Sequence, residues 1–169
     1  EMCIRDRSYI ATSPGEFTVD VNIFNVSGLQ GFKFRLGYNA TILDVTNVEL
    51  GPFMFFNATS VAFDWGRNPL LGYVGVYANI TSGGPANGTG TLATVTFNAT
   101  YRGAASCALD LYETALTDPQ GGSISHEVAD GEYEFVVLSL TVTTAKKPPT
   151  NYAEWYYGRR YWELHYVDN

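Results

Sequence analysis

The feature that most constrains this chain is a two-residue hydrophobic period that keeps returning. Phe17, Val19, Val21 and Ile23 are apolar, and Thr18, Asp20 and Asn22 between them are polar, the pattern of a strand that buries one face. The same alternation recurs in Phe32, Phe34, Leu36 and Tyr38, in Val74, Val76, Ala78 and Ile80, and in Ala93, Val95, Phe97 and Ala99. Leu109 with Leu111, then Tyr133, Phe135 and Val137, add two shorter stretches. Turn-forming residues separate them at Ser27-Gly28, Gly51-Pro52, Asn68-Pro69, Ser82 to Pro85, Asn87 to Gly90, Asp118 to Gly122 and Asp130-Gly131. Nothing between Phe17 and Val142 keeps a helical period beyond two turns. Short strands at this spacing predict an all-β sandwich or jelly roll whose two sheets interdigitate their inward side chains.

At 169 residues, 46% of them hydrophobic, the chain is long enough to bury one sizeable core. Ten Lys and Arg against 17 Asp and Glu give a net charge of -7, which repels a phosphate backbone and argues against a nucleic-acid partner. The longest apolar run, Phe135 to Val142, is strand length, well below the roughly 18 to 20 residues of a membrane span. Two cysteines, Cys3 and Cys107, have no CxxC spacing and no nearby His, so no zinc site is expected. Their spacing leaves a Cys3–Cys107 disulfide open, with a small buried hydrophobe at Cys107 as the favoured reading.

Both ends read differently from the middle. Residues 1–8, EMCIRDRS, resemble a translated sequencing adaptor joined to a metagenomic read, and lack the basic flank and apolar stretch of a signal peptide. They are set aside in predicting the fold. The sandwich is expected over residues 9–144, followed by a Lys- and Pro-rich linker at 145–150 (AKKPPT). Residues 151–169 hold Tyr152, Trp155, Tyr156, Tyr157, Tyr161, Trp162 and Tyr166, an aromatic tail of undetermined structure.

Six of the 11 asparagines begin N-x-S/T: Asn25, Asn39, Asn57, Asn79, Asn87 and Asn98. With 9 Ser and 17 Thr in the chain, one or two would arise by chance, so the excess points to N-glycosylation and hence to an extracellular or cell-surface protein. Asn25, Asn39, Asn57 and Asn87 are expected at turns or loops, and Asn79 and Asn98 on the outward phase of their strands.

Catalytic patterns are missing. His126 falls in a predicted loop and His165 in the tail, and no G-x-S-x-G nucleophile motif occurs. Carboxylate pairs exist, such as Glu127 with Asp130, Asp44 with Glu49, and Glu132 with Glu134. Glu132 and Glu134 lie two apart on a strand and therefore share one solvated face, rather than opposing each other across a cleft as a glycosidase requires. Asp118 and Asp130 flank a Gly-rich loop without an EF-hand pattern. A noncatalytic domain with no cofactor and no metal is expected.

Three segments in one order carry a family resemblance. Ser27 to Gly51, SGLQGFKFRLGYNATILDVTNVELG, resembles the early strands of cohesin domains; Gly88 to Gly103, GTGTLATVTFNATYRG, is similar to their Gly-x-Leu-Ala-x-Ile-x-Phe strand; and Leu116 to Tyr133 resembles their closing Asp-x-x-Gly loop and Asp-Gly strand. The resemblance spans about residues 17–137, and the sequon-rich, Tyr-rich character is most like the cohesin-like modules of archaeal cell-surface proteins. It implies a nine-stranded jelly roll and a sheet face that binds a calcium-loaded dockerin. By position it implies Gln30, Gly31, Lys33 and Arg35 as candidate partner-binding residues. Lys33 replaces the small polar or acidic residue usual there, and glycans on Asn39 and Asn79 would lie near that face.

Two other readings compete. A carbohydrate-binding module would stack sugar rings of a polysaccharide on coplanar exposed aromatics, for which Tyr73 and Tyr77 on one strand face and Trp65 in the preceding loop are the candidates. A surface-layer or fibre subunit would pair an extended strand, Phe135 to Thr144, with the sheet edge of a neighbouring copy.

Overall fold

The computed structural model describes residues 1–4, 8–11, 15–101, 104–136, 142–145 and 161–164. It divides into two compact units, Glu1–Val136 and Val137–Asn169.

The first unit is a sandwich of two mixed sheets. Its strands are β1 (Met2–Ile4), β2 (Ser8–Ala11), β3 (Glu16–Leu29), β4 (Gly31–Gly37), β5 (Leu43–Leu50), β6 (Ala58–Asn68), β7 (Tyr73–Gly83), β8 (Ala86–Ala99), β9 (Ala105–Thr117), β10 (Val128–Ala129) and β11 (Gly131–Phe135), with one 3-10 turn at Pro52–Phe55. The five-stranded sheet runs β10-β1-β3-β8-β5 and the six-stranded sheet β2-β11-β9-β4-β7-β6. This is the predicted jelly-roll class. The surplus over nine strands lies in short pieces, three residues in β1 and two in β10.

Alternation in the sequence becomes alternation in burial. Phe17, Val19, Val21 and Ile23 on β3, Phe32, Phe34 and Leu36 on β4, Val74, Val76, Ala78 and Ile80 on β7, and Ala93, Val95, Phe97 and Ala99 on β8 all enter the core. Each fully buried Val, Leu or Phe is worth about 1.5–3 kcal/mol of apolar transfer. Aromatic rings cross between the layers: Phe17 of the five-stranded sheet stacks on Tyr133 of the six-stranded sheet at 4.8 Å and on Phe97 at 5.5 Å, and Tyr38 meets Phe97 edge-on at 5.4 Å.

Several local expectations change. The segment set aside at the start contributes β1, whose Met2 and Ile4 are buried and whose backbone pairs with both β3 and β10. Ser27-Gly28 and Asn87 to Gly90 do not end strands. β3 and β8 run through them, absorbing the extra residues as register shifts after Ile23 and Val26, with Asn25 at φ 52° and Gly28 at φ 70°. A strand can accept such bulges by twisting locally instead of stopping. Trp65 is not in a loop but in β6, its ring packed against the core. Both cysteines are buried, and they are not joined to each other in a disulfide.

The first compact unit ends at Val136. In the second unit β12 (Val142–Ala145) pairs antiparallel with β13 (Tyr161–Leu164), Thr144 opposite Trp162. The pairing of Val142–Ala145 is thus with the tail. The proposed linker beyond Ala145, His165 and most of the aromatic tail lie outside the described residues.

Two tyrosine hydroxyls, of Tyr38 and Tyr133, are buried with no hydrogen-bond partner among the described residues. Burial raises the pKa of both, and of Cys107, whose Sγ accepts a hydrogen bond from the Asn39 amide at 3.0 Å. These groups are neutral in the fold and ionise more readily when it opens. Their contribution is therefore intact below the unfolded-state values and is lost as pH rises beyond about 9. Denaturant unfolding followed by tryptophan fluorescence should show stability falling from about pH 9 to 11. Tyr133→Phe keeps the ring stack and removes an unpaired polar atom, so it should match or exceed the parent by about 1 kcal/mol at pH 7 and weaken the alkaline loss.

Candidate functional site

Outward residues of the six-stranded sheet form the surface on which most sequence candidates fall. Because β4 lies between β9 and β7, with β6 beyond β7, cross-strand register sets its side chains in rows. One row reads Asp64, Tyr77, Lys33, Ala115; the next Gly66, Gly75, Arg35, Tyr112; the third Asn68, Tyr73, Gly37, Asp110. Lys33 is exposed, and Tyr77 and Tyr112 expose 49% and 37% of their surface, more than a core role would leave.

Arg35 and Lys33 differ in their electrostatics. The Arg35 guanidinium sits 4.7 Å from the Tyr73 ring centroid and donates to Glu113 Oε1 at 2.8 Å. Glu113 reaches it from a bulge, where two residues of β9 oppose one of β4 between Lys33 and Arg35. Its φ of 48° is left-handed, a conformation that costs a non-glycine residue about 1 kcal/mol. Thr114, the other bulge residue, is 2.9 Å by Oγ1 from His126 Nε2, whose ring Nδ1 lies 3.0 Å from the Ile124 carbonyl. His126 is thus a loop anchor. Lys33 has no ion pair among the described residues, while Arg67 is paired with Asp44.

Between the tyrosines the face is hollow. Gly66 and Gly75 face each other across β6 and β7. A Cβ added to Gly66 would meet nothing within 4 Å, and one on Gly75 only the Gly66 carbonyl at 3.9 Å. The result is a notch floored by backbone, with Tyr77 and Lys33 in the row on one side and Tyr73 in the row on the other.

The other candidates separate. Gln30 is half-buried, its Nε2 donating to the Ile80 carbonyl at 2.6 Å, so it ties β4 to β7. Gly31 is buried, with Asn79 Oδ1 and Thr117 Oγ1 at 2.8 and 3.0 Å from where a Cβ would stand. Tyr73 and Tyr77 do share the outer face, but Trp65 points to the opposite side of β6, so the three aromatics do not form one platform. Glu132 and Glu134 lie exposed on β11. Among the described residues no cluster of three or more His, Cys, Asp or Glu is placed to hold a metal.

Sequons distribute around the sandwich. Asn25, Asn39, Asn57 and Asn87 are exposed, and Asn98 is half-buried on β8, opposite Glu16 and Asp44 on the outer side of the five-stranded sheet. Asn79 is half-buried on β7, two residues along from Tyr77. The sequons that begin at Asn25 and Asn87 are linked: Ser27 Oγ donates to Asn87 Oδ1 at 3.3 Å, and the Asn25 backbone N–H to Thr89 Oγ1 at 3.1 Å.

Sequence reasoning missed Tyr112, Glu113 and the glycine notch. Tyr112 was within reach, because it stands in the polar phase after Leu109 and Leu111. The left-handed backbone at Glu113 leaves no trace in residue type.

A two-sheet sandwich with one outer face of tyrosines, cations and bare backbone defines a binding module. The cohesin domain family model matches residues 10–146, and the chain belongs to that family, whose members are noncatalytic protein-interaction domains. No curated protein matches it. Its fold resembles a non-cellulosomal cohesin from the archaeon Archaeoglobus fulgidus (22% identity, TM-score 0.65, 80% of this chain and 89% of that one). It also resembles the seventh ScaB type I cohesin from Pseudobacteroides cellulosolvens (21%, TM-score 0.67, 82% and 92%). A third likeness is to a type I cohesin–dockerin complex, Coh-OlpC-Doc435, from Clostridium thermocellum (16%, TM-score 0.65, 81% and 93%).

Replacing Glu113 by Gly should separate backbone relief from the ion pair. The left-handed residue gains about 1 kcal/mol and the exposed pair loses about 0.2–1. Denaturant unfolding of Glu113→Gly should therefore stay within about 1 kcal/mol of the parent.

Proposed function

We propose that this chain is a recognition or assembly module of an N-glycosylated extracellular or cell-surface protein, binding a dockerin-like protein module through the outer face of β9, β4, β7 and β6. The observation that carries the reading is the exposed group of Lys33, Tyr77 and Tyr112 around the Gly66–Gly75 notch, on a surface where side-chain register is set by paired strands. Such a face binds at low cost in ordering entropy, and exposed tyrosines offer large contact area with few rotamers to freeze. Family membership supports a protein partner, and the relative from Clostridium thermocellum was solved with a dockerin bound. Trp65 facing inward removes one of the three aromatics on which the polysaccharide reading depended.

Glycans fit the same arrangement. Asn25, Asn87 and Asn98 lie on β3 and β8 of the other sheet, where modification would leave the face open, whereas Asn39 follows β4 directly. Asn79 shares the face of β7 with Tyr77, and its side chain is packed over Gly31.

Two measurements test this. Against a panel of calcium-loaded dockerin modules, Tyr77→Ala with Tyr112→Ala should lower the affinity of any binder about tenfold or more, and Glu49→Ala on the other sheet should leave it unchanged. Equal loss from both faces, or no loss from the tyrosine variant, would refute the assignment. Glycopeptide mass spectrometry on natively produced material should find glycans at most sequons and least at Asn79; six unmodified asparagines would remove the argument for secretion.

A further inference from the structure

We propose that the Gly66–Gly75 notch and Lys33 together receive an Asp or Glu side chain of the protein partner. This rests on the reading of the face given above and adds the chemistry of what it holds.

Lys33, Arg35 and Arg67 are the lysines and arginines among the described residues, in a chain of net charge -7. Arg35 is engaged by Glu113 and Tyr73, and Arg67 by Asp44. That leaves Lys33 as the cation without an ion pair among the described residues. It stands on a strand paired on both sides, with Tyr77 directly opposite on β7 and Ala115 on β9. A partner covering this row strips water from the ammonium, and an uncompensated buried charge is costly, so a partner that binds here must bring an anionic acceptor.

Geometry then limits where the acceptor enters. Gly66 and Gly75 occupy the row next to Lys33 and carry no side chain, and Cβ atoms there would project into open space or ordinary contact. The glycines are thus not required by crowding within the sandwich. Bare backbone within a strand pair is where another chain can approach closely. A carboxylate lowered into this notch lies beside Arg35, the cross-strand neighbour of Gly75, and one row from Lys33, Tyr77 and Asp64.

The surroundings select against the opposite charge pattern. Asp64 occupies the Lys33 row beyond Tyr77, Asp110 lies two rows away opposite Gly37, and Glu113 is held by Arg35. An acidic group displaced toward β6 would meet Asp64, and one held toward β4 meets the Lys33 ammonium. The fitting segment therefore carries one acid flanked by hydrogen-bond donors, and not an acidic run.

Gly75→Ala and Gly66→Ala fill the notch without threatening the fold, since neither Cβ meets an atom closer than 3.9 Å. A randomised peptide library displayed on phage would be panned on the full chain, and enriched peptides measured by calorimetry against the parent, Lys33→Met, Gly75→Ala and Tyr77→Ala. Expected are peptides with Asp or Glu at one fixed position, bound about tenfold more weakly by Lys33→Met and by Gly75→Ala, with affinity falling as salt rises. Peptides that depend on Tyr77 but not on Lys33 or Gly75, or that show no fixed acid, overturn this inference and leave the face standing. Peptides indifferent to all three variants overturn both. If oligogalacturonate binds in a Lys33-dependent way and no acidic peptide is enriched, the carboxylate belongs to a polysaccharide and the protein assignment fails.

Discussion

The structure depends on the contact between its two sheets through Phe17. This side chain of β3 stacks on Phe97 within its own sheet and on Tyr133 across the sandwich, so it fixes which residues of each strand point inward. A shift of one residue in β4 would turn Phe32, Phe34 and Leu36 to solvent and bury Lys33 and Arg35. That exchange forfeits several kcal/mol of apolar burial and strands two charges. The outward position of Lys33 is thus enforced by the core beneath it. The outer face inherits its precision from the packing, because every second side chain on β4 and β7 is held by the ones between.

What the sequence disclosed follows from the same relation. Phe32, Phe34 and Leu36 announced both the core and, by their spacing, the outward phase of Lys33 and Arg35. Tyr73 and Tyr77 were placed on one face by the same rule. β6 was harder to see: Val61, Phe63 and Trp65 do alternate, but they are followed by Gly66 and the turn at Asn68-Pro69, so Trp65 read as a loop residue. Met2 and Ile4 escaped because the segment resembled foreign sequence, and burial between neighbouring strands is not encoded in three residues. Gly31 shares β4 with Lys33 and Gln30 stands just before it, yet cross-strand contacts with Ile80, Asn79 and Thr117 decide that they serve the scaffold. Such contacts are long-range and leave no local pattern.

Departures from the regular ladder supply the detail of the site. The bulge at Glu113 and Thr114 turns one carboxylate toward Arg35 while a loop histidine holds the neighbouring hydroxyl. A straight ladder would have left both cations of β4 in similar surroundings. Instead Arg35 is paired within the domain, and Lys33 has no ion pair among the described residues. The glycine pair of β6 and β7 acts by subtraction, lowering the floor one row from Lys33.

Arg67 carries a consequence of another kind. It reaches from β6, the last strand of one sheet, to Asp44 and to the Val45 carbonyl at 2.5 Å on β5, the last strand of the other. Unpaired edge strands are templates on which a further strand can grow. Here one side chain laces two such edges together, occupying a carbonyl that an incoming strand would need. Copies strung close together on a surface would then be hindered from zipping side by side along this flank, and contact between them would be channelled to the sheet faces, where side chains and not backbone decide the partner.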